Sequence, residues 1–162
     1  MKKIKYIFLD VDGTLTDGKI IIDNLGNESK SFSVKDGQGI KDLQKFGVEF
    51  IIVTGRTSNI VSSRSLELGI KNVHQGIENK EEIIKMYSFN DQNQFATLYI
   101  GDDINDLPAM LQCDYIACPK DSVIEVIHQA NYISKKDGGN GAVRDILDHY
   151  MKGGFIYNEN FK

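Results

Sequence analysis

The chain has 162 residues, 41% of them hydrophobic and 26% charged, with a formal net charge of −4. That length suits one domain over residues 1–162 with a sizeable core, and the acidic balance gives no electrostatic reason to expect nucleic acid or an anionic membrane as partner. No apolar stretch approaches the roughly 20 residues of a membrane span, and the run after the basic N-terminus is too short for a signal peptide, so a cytoplasmic protein is expected.

Residues 4–9 form an apolar run interrupted by Lys5, which predicts a buried strand. It stops at Asp10 and Asp12, followed by Gly13. Residues two apart on a strand point the same way, so an extended chain would turn both carboxylates into one small volume. The C-terminal end of a strand is where open α/β sheets place their sites. Two carboxylates that close repel unless a proton or cation lies between them, and a hard dication such as Mg²⁺ suits such oxygen ligands.

Residues 19–23 and 29–34 both read as strands around the turn-rich segment 23–27, which predicts a β-hairpin directly after the acidic motif. It can serve as a flap over the site or as an edge ribbon pairing with another subunit. The apolar load of Ile20, Ile21, Ile22, Phe32 and Val34 favours the subunit contact. Asp36 then offers a helix N-cap, Ile40, Leu43 and Phe46 carry an apolar stripe, and Gly47 suits the helix end. Residues 48–53 predict a second buried strand ending in Thr54-Gly55-Arg56. A hydroxyl, free backbone N–H groups and a following helix start suit an anion, although the same tripeptide also suits an ordinary turn.

A helix is expected over residues 58–68, bearing Arg64, which reads equally as a solvated charge. Residues 72–75 predict a third strand, followed by a helix over residues 80–89. Lys80 at that helix N-terminus opposes the macrodipole preference, which suits a lysine facing an anion. Residues 96–100 predict a fourth strand that ends in a second acidic cluster, Asp102, Asp103 and Asp106. Capping of the helix through residue 111 can account for Asp106, but not for Asp102 and Asp103 directly after a strand. Further strands are expected at residues 115–118 and 130–133, and helices at 122–127 and 142–150. Cys113 and Cys118 lack metal-ligand spacing and read as small buried residues in a reducing compartment. The aromatic tail from Phe155 has no helical period and reads as disordered or as docking on a neighbour. Strands alternating with helices predict an α/β fold, a Rossmann-like parallel sheet covered on both faces.

Four strand ends therefore carry the chemistry: Asp10/Asp12, Thr54/Arg56, Lys80, and Asp102/Asp103. Their order resembles the four motifs of the haloacid dehalogenase-like phosphatases. The segments Asp12-Gly13-Thr14-Leu15-Thr16-Asp17-Gly18, Val34-Lys35-Asp36-Gly37-Gln38-Gly39-Ile40 and Gly138-Gly139-Asn140-Gly141-Ala142-Val143-Arg144 are similar to the capless 3-deoxy-D-manno-octulosonate 8-phosphate phosphatase subfamily. Thr14 and Thr16 depart from the Val and Ser frequent there. The resemblance implies no cap domain, Asp10 as nucleophile and Asp12 as general acid and base. It implies Mg²⁺ held by Asp10, the Asp12 carbonyl and Asp102, and phosphate held by Thr54, Gly55 and Lys80. Asp103 and Asp106 would fix the ligands and Lys80. Ser33, Val34, Lys35, Asp36 and Gly37 would offer groups to the sugar, with Arg56 and Arg64 meeting its carboxylate or the phosphate. A homotetramer acting on a small sugar-acid phosphate is implied. The alternatives are a nonulosonate 9-phosphate phosphatase, a receiver-like signalling domain and a catalytically silent assembly domain.

Overall fold

In the computed structural model, residues 3–88 and 95–155 are described. Strand β1, Ile4–Leu9, alternates its side chains as a strand must: Ile7 and Leu9 enter one apolar core, Tyr6 and Phe8 the other. It pairs in parallel with β4, Glu49–Val53, on one side and β6, Ala96–Ile100, on the other. The sheet extends to β5, Asn72–His74, at one edge and through β7, Tyr115–Cys118, to β8, Tyr132–Ile133, at the other. All five pairings are parallel, in the order β5-β4-β1-β6-β7-β8.

Both faces need cover, because the central strands are apolar on both sides. Helices α1 (Val34–Gln44), α2 (Asn59–Leu68) and α6 (Ala142–Met151) supply Ile40, Leu43, Val61, Leu68, Val143, Ile146 and Leu147 to one core. Helices α3 (Lys80–Ser88), α4 (Leu107–Met110) and α5 (Ile124–Ile127) supply Ile83, Ile84, Ala109, Met110 and Val126 to the other. The expected α/β sheet and its strand ends are therefore present. The chain leaves β1 toward β4 and β5, then returns to the other side of β1 through β6. That reversal opens a crevice at the C-terminal end of β1, the place where such sheets bind ligands.

Three local expectations are corrected. The hairpin exists, but its antiparallel strands are only β2, Ile21–Ile22, and β3, Glu28–Ser29. The Asp23 carboxylate accepts from the N–H groups of Leu25 and Asn27 and fixes the turn. Phe32 leaves the ladder to pack on the core, with the Arg64 guanidinium 5.7 Å from its ring centre. Helix α1 starts earlier than expected, at Val34, capped by Ser33, whose hydroxyl accepts from Asp36 N–H. Asp36 instead accepts from the backbone N–H of Arg144 at 2.7 Å. It thereby caps α6, whose own N-cap residue, Gly141, has no side chain to do so. Such a cap contributes about 1 kcal/mol. Lastly, Phe155 is buried on its own chain, among Tyr115, Tyr132, His149 and Tyr150. The tail thus begins as part of the core, and removing it from Gly154 onward would cost folding stability. Residues 156–162 lie outside the described residues.

Candidate active site

The site is built on the end of β1. Asp10 N–H donates to Ile100 O at 3.0 Å, which carries the β1–β6 ladder one residue past the strand. Val11 O then accepts from Leu15 N–H at 2.9 Å and Thr16 N–H at 3.0 Å, closing a tight turn. The chain does not stay extended to Asp12, so the expectation that both carboxylates share one volume fails. Asp10 is turned to Lys80, whereas Asp12 faces Lys30 and Arg56.

Asp10, at 5% exposure, accepts from Lys80 Nζ at 2.7 Å. The same nitrogen donates to Asp106 Oδ1 at 2.7 Å. Tyr99 O–H also donates to that oxygen, at 2.8 Å, while the N–H groups of Asp102 and Asp103 donate to Oδ2. Asp106 is thus fully buried with both oxygens committed to donors. It ties Lys80 to the loop that carries Asp102. Across the crevice, Thr14 O–H donates to Asp102 Oδ1 at 3.0 Å, a bond that valine at this position could not make. Gly13 makes the approach possible. A Cβ there would lie 2.0 Å from Asp102 Oδ2, and its φ of 96° is one that only glycine adopts without strain. Gly138 and Gly139 brace the turn from behind, Gly139 N–H donating to Thr14 O at 3.1 Å.

Burial dominates the electrostatics. It pushes Asp10 up to about 8, with Asp106 adding to the rise and Lys80 opposing it. It pushes Asp102 up to about 7, against the Thr14 hydrogen bond. For Lys80, burial disfavours the charge, but the carboxylates of Asp10 and Asp106 outweigh it and hold the amine above its usual range. Asp10, Asp102 and Asp106 each place an oxygen within 4.8 Å of the others. A buried carboxylate, Asp10, and a half-buried one, Asp102, that both resist ionising make a site short of positive charge, and an oxygen-ligated dication would supply it.

Since both folded values lie above the ordinary carboxylate value, the folded protein holds protons that the unfolded chain has lost. Metal-free stability is accordingly expected to fall as pH rises from about 4 to about 8. A dication must displace those protons, so its apparent affinity is expected to climb by up to about fiftyfold from pH 6 to 7, where both carboxyls hold protons, and by about tenfold from pH 7 to 8, then level off. Thermal shift against Mg²⁺ concentration at several pH values reads this directly. An affinity unchanged from pH 6 to 9 would contradict it.

Thr54 is buried at the end of β4, beside Gly55. Arg56 is half exposed, its Nε 3.8 Å from Asp12 Oδ2. Asp103 is exposed and caps the following 3₁₀ turn through Ile104 N–H, so it does not reach Lys80 as expected. Arg64 is turned away from Asp10 and Asp12: it donates to Ser33 O at 3.2 Å and to Glu67 at 2.7 Å. Val34 and Lys35 are exposed, whereas Asp36 and Gly37 are buried. Arg64 lies against Gly37, where a Cβ would meet its Nη2 at 2.6 Å. The contacts of Lys30, Glu28, Tyr99 and Thr14 went unread in the sequence. Glu28 and Lys30 are two apart beside a strand, which already put both charges on one face. A buried tyrosine needs a partner for its hydroxyl, and Tyr99 lies three residues before Asp102.

An acidic end to β1, a hydroxyl at the end of β4, a lysine at the start of α3 and acids after β6 define a phosphotransfer site of the haloacid dehalogenase-like type. The haloacid dehalogenase-like hydrolase family matches residues 7–78. The 3-deoxy-D-manno-octulosonate 8-phosphate phosphatase of Escherichia coli K12 is 35% identical over 151 residues, covering 91% of this chain and 79% of that protein. The Moraxella catarrhalis phosphatase of that name, solved with magnesium, phosphate and KDO, superposes with a TM-score of 0.88 at 35% identity. That match covers 94% of this chain and 88% of the other. A structure from Vibrio cholerae assigned to the same phosphatase gives 0.84 at 38% identity, covering 93% and 85%. The chain belongs to the haloacid dehalogenase-like hydrolases, in the 3-deoxy-D-manno-octulosonate 8-phosphate phosphatase family.

Proposed function

We propose that the chain is a single-domain, Mg²⁺-dependent phosphatase that hydrolyses 3-deoxy-D-manno-octulosonate 8-phosphate to the free sugar acid and phosphate. The observation that carries this is the buried chain Asp10–Lys80–Asp106 beside Asp102, at the point where the strand order reverses. The likeness to a relative solved with magnesium, phosphate and KDO supports the substrate.

In this reading Asp10 attacks phosphorus and the sugar oxygen leaves, giving an aspartyl phosphate that water then hydrolyses. Asp12 gives its proton to the leaving oxygen and takes one from the attacking water. Lys80, Thr54 and the Gly55 backbone hold the phosphoryl oxygens, and Asp106 holds Lys80 in place. Asp10, Asp102 and the Asp12 carbonyl would hold Mg²⁺; Asp106 has no oxygen left for it. When bound, the ion neutralises charge on the phosphoryl group and on the clustered acids. The test is phosphate release across a panel of sugar phosphates with Mg²⁺. Preference for the octulosonate ester supports the reading, and preference for a nine-carbon acid or a neutral sugar phosphate overturns it.

Among the described residues no helix is long and apolar enough to cross a membrane, and both cysteines are free thiols, which suits the cytoplasm. Ile20, Ile21, Ile22, Leu25 and Val34 are exposed around the hairpin, an apolar load suited to contact with further copies of the chain. A homotetramer is expected by light scattering. A fully active monomer would contradict it.

A further inference from the structure

Four charged side chains close a ring at the mouth of the site. Lys30, whose side chain has no exposed surface, pairs with Asp12 Oδ1 and lies 3.1 Å from Glu28 Oε1. Arg56 Nη2 lies 3.3 Å from the same Glu28 oxygen, and Arg56 Nε 3.8 Å from Asp12 Oδ2. Cations and carboxylates alternate, two from the hairpin and two from strand ends. Asp12 has a chemical reason to be there, as the acid and base of the proposed reaction. Glu28 has none.

Resting on the substrate reading above, we infer that Lys30 and Arg56 form the receptor for the substrate's carboxylate, with Glu28 as its internal occupant. Lys30 is then a specificity-determining residue. The leaving oxygen meets Asp12, and a carboxylate in the place of Glu28 lies one cation farther along the ring. That is the order in which a sugar-acid ester presents its two ends.

The energetics favour exchange over simple addition. A buried lysine is costly to leave short of an anion. A sugar-acid ester replaces one carboxylate by another, so the charge pairing is conserved. An ester without a carboxylate must either work around Glu28 or leave both cations to share Asp12 alone, and selection follows from that penalty. Releasing Glu28 is easy, because it sits on a hairpin with only two residues in each strand, too short to be stable by itself.

The test compares kcat/KM for 3-deoxy-D-manno-octulosonate 8-phosphate and for p-nitrophenyl phosphate at saturating Mg²⁺, in wild type, Lys30→Met, Lys30→Arg and Glu28→Gln. Lys30→Met is expected to lower the ratio of the two by at least about tenfold, through a higher KM for the sugar acid. Lys30→Arg should recover much of the ratio. Glu28→Gln, which keeps the side-chain volume, should lower KM for the sugar acid, and it carries the test if Lys30→Met does not fold. Parallel loss on both esters in Lys30→Met, with the ratio unchanged, would mean Lys30 serves only to hold Asp12 and would overturn the inference. An unchanged KM in Glu28→Gln would overturn the occupant role. Wild type that prefers no acid-bearing ester would overturn the substrate reading itself, and this inference with it.

Discussion

Replacing Asp10 by Asn is expected to lower turnover by at least about 10³-fold, because an amide is a poor nucleophile toward phosphorus. The fold should survive. Asp10 sits against Asp106 and Asp102, and burial already pushes its carboxyl up to about 8, so a neutral side chain relieves repulsion in the metal-free protein. Lys80 keeps Asp106 as a partner at 2.7 Å. Turnover and the melting transition should therefore separate: activity lost, unfolding little changed. Near-wild-type turnover in protein shown free of deamidation would sink the nucleophile assignment, whereas an unfolded variant would show that the Asp10–Lys80 pair holds the fold.

Chelation is expected to be as severe. EDTA should abolish phosphate release and Mg²⁺ restore it, with Ca²⁺ a poor substitute because it prefers longer bonds and more ligands. Binding also has a readout independent of turnover. Mg²⁺ at a hundred times its dissociation constant stabilises a protein by about 2.7 kcal/mol, which raises the melting temperature measurably. Asp102→Asn should remove most of that rise, since it takes away one of two ligating carboxylates. Full activity in a chelator, or a melting temperature indifferent to Mg²⁺, would mean the acids serve some other end.

The sheet and its strand ends were legible because local signals suffice for them. The runs 4–9, 48–53 and 96–100 are mainly apolar, broken only by Lys5, Glu49 and Thr97, and each ends within two residues of a polar side chain placed in the site: Asp10, Thr54 and Asp102. What stayed hidden depends on partners distant in sequence. Asp36 looked like a cap for its own helix, yet its carboxylate meets Arg144 N–H, 108 residues away. Ser33 took the nearer role because its hydroxyl reaches Asp36 N–H from the position a cap requires. Phe155 gave no periodic signal, because it enters the core as a single residue between the ring faces of other elements. Asp10 and Asp12 diverge because three N–H groups close on Val11 O, a turn that spacing alone does not reveal. The ring of Lys30, Glu28, Arg56 and Asp12 needs the hairpin folded back over β1, which no local pattern encodes.

The most direct test of the account is a single-turnover experiment with 3-deoxy-D-manno-octulosonate 8-phosphate carrying radiolabelled phosphate. Enzyme in excess with Mg²⁺ is quenched in acid within the first turnover and digested, and the labelled peptide is identified. The account predicts acid-stable label on Asp10, lost in Asp10→Asn, with phosphate released only after the label has formed. Release of phosphate with no labelled enzyme at any time in that turnover, or label on a residue other than Asp10, would contradict it.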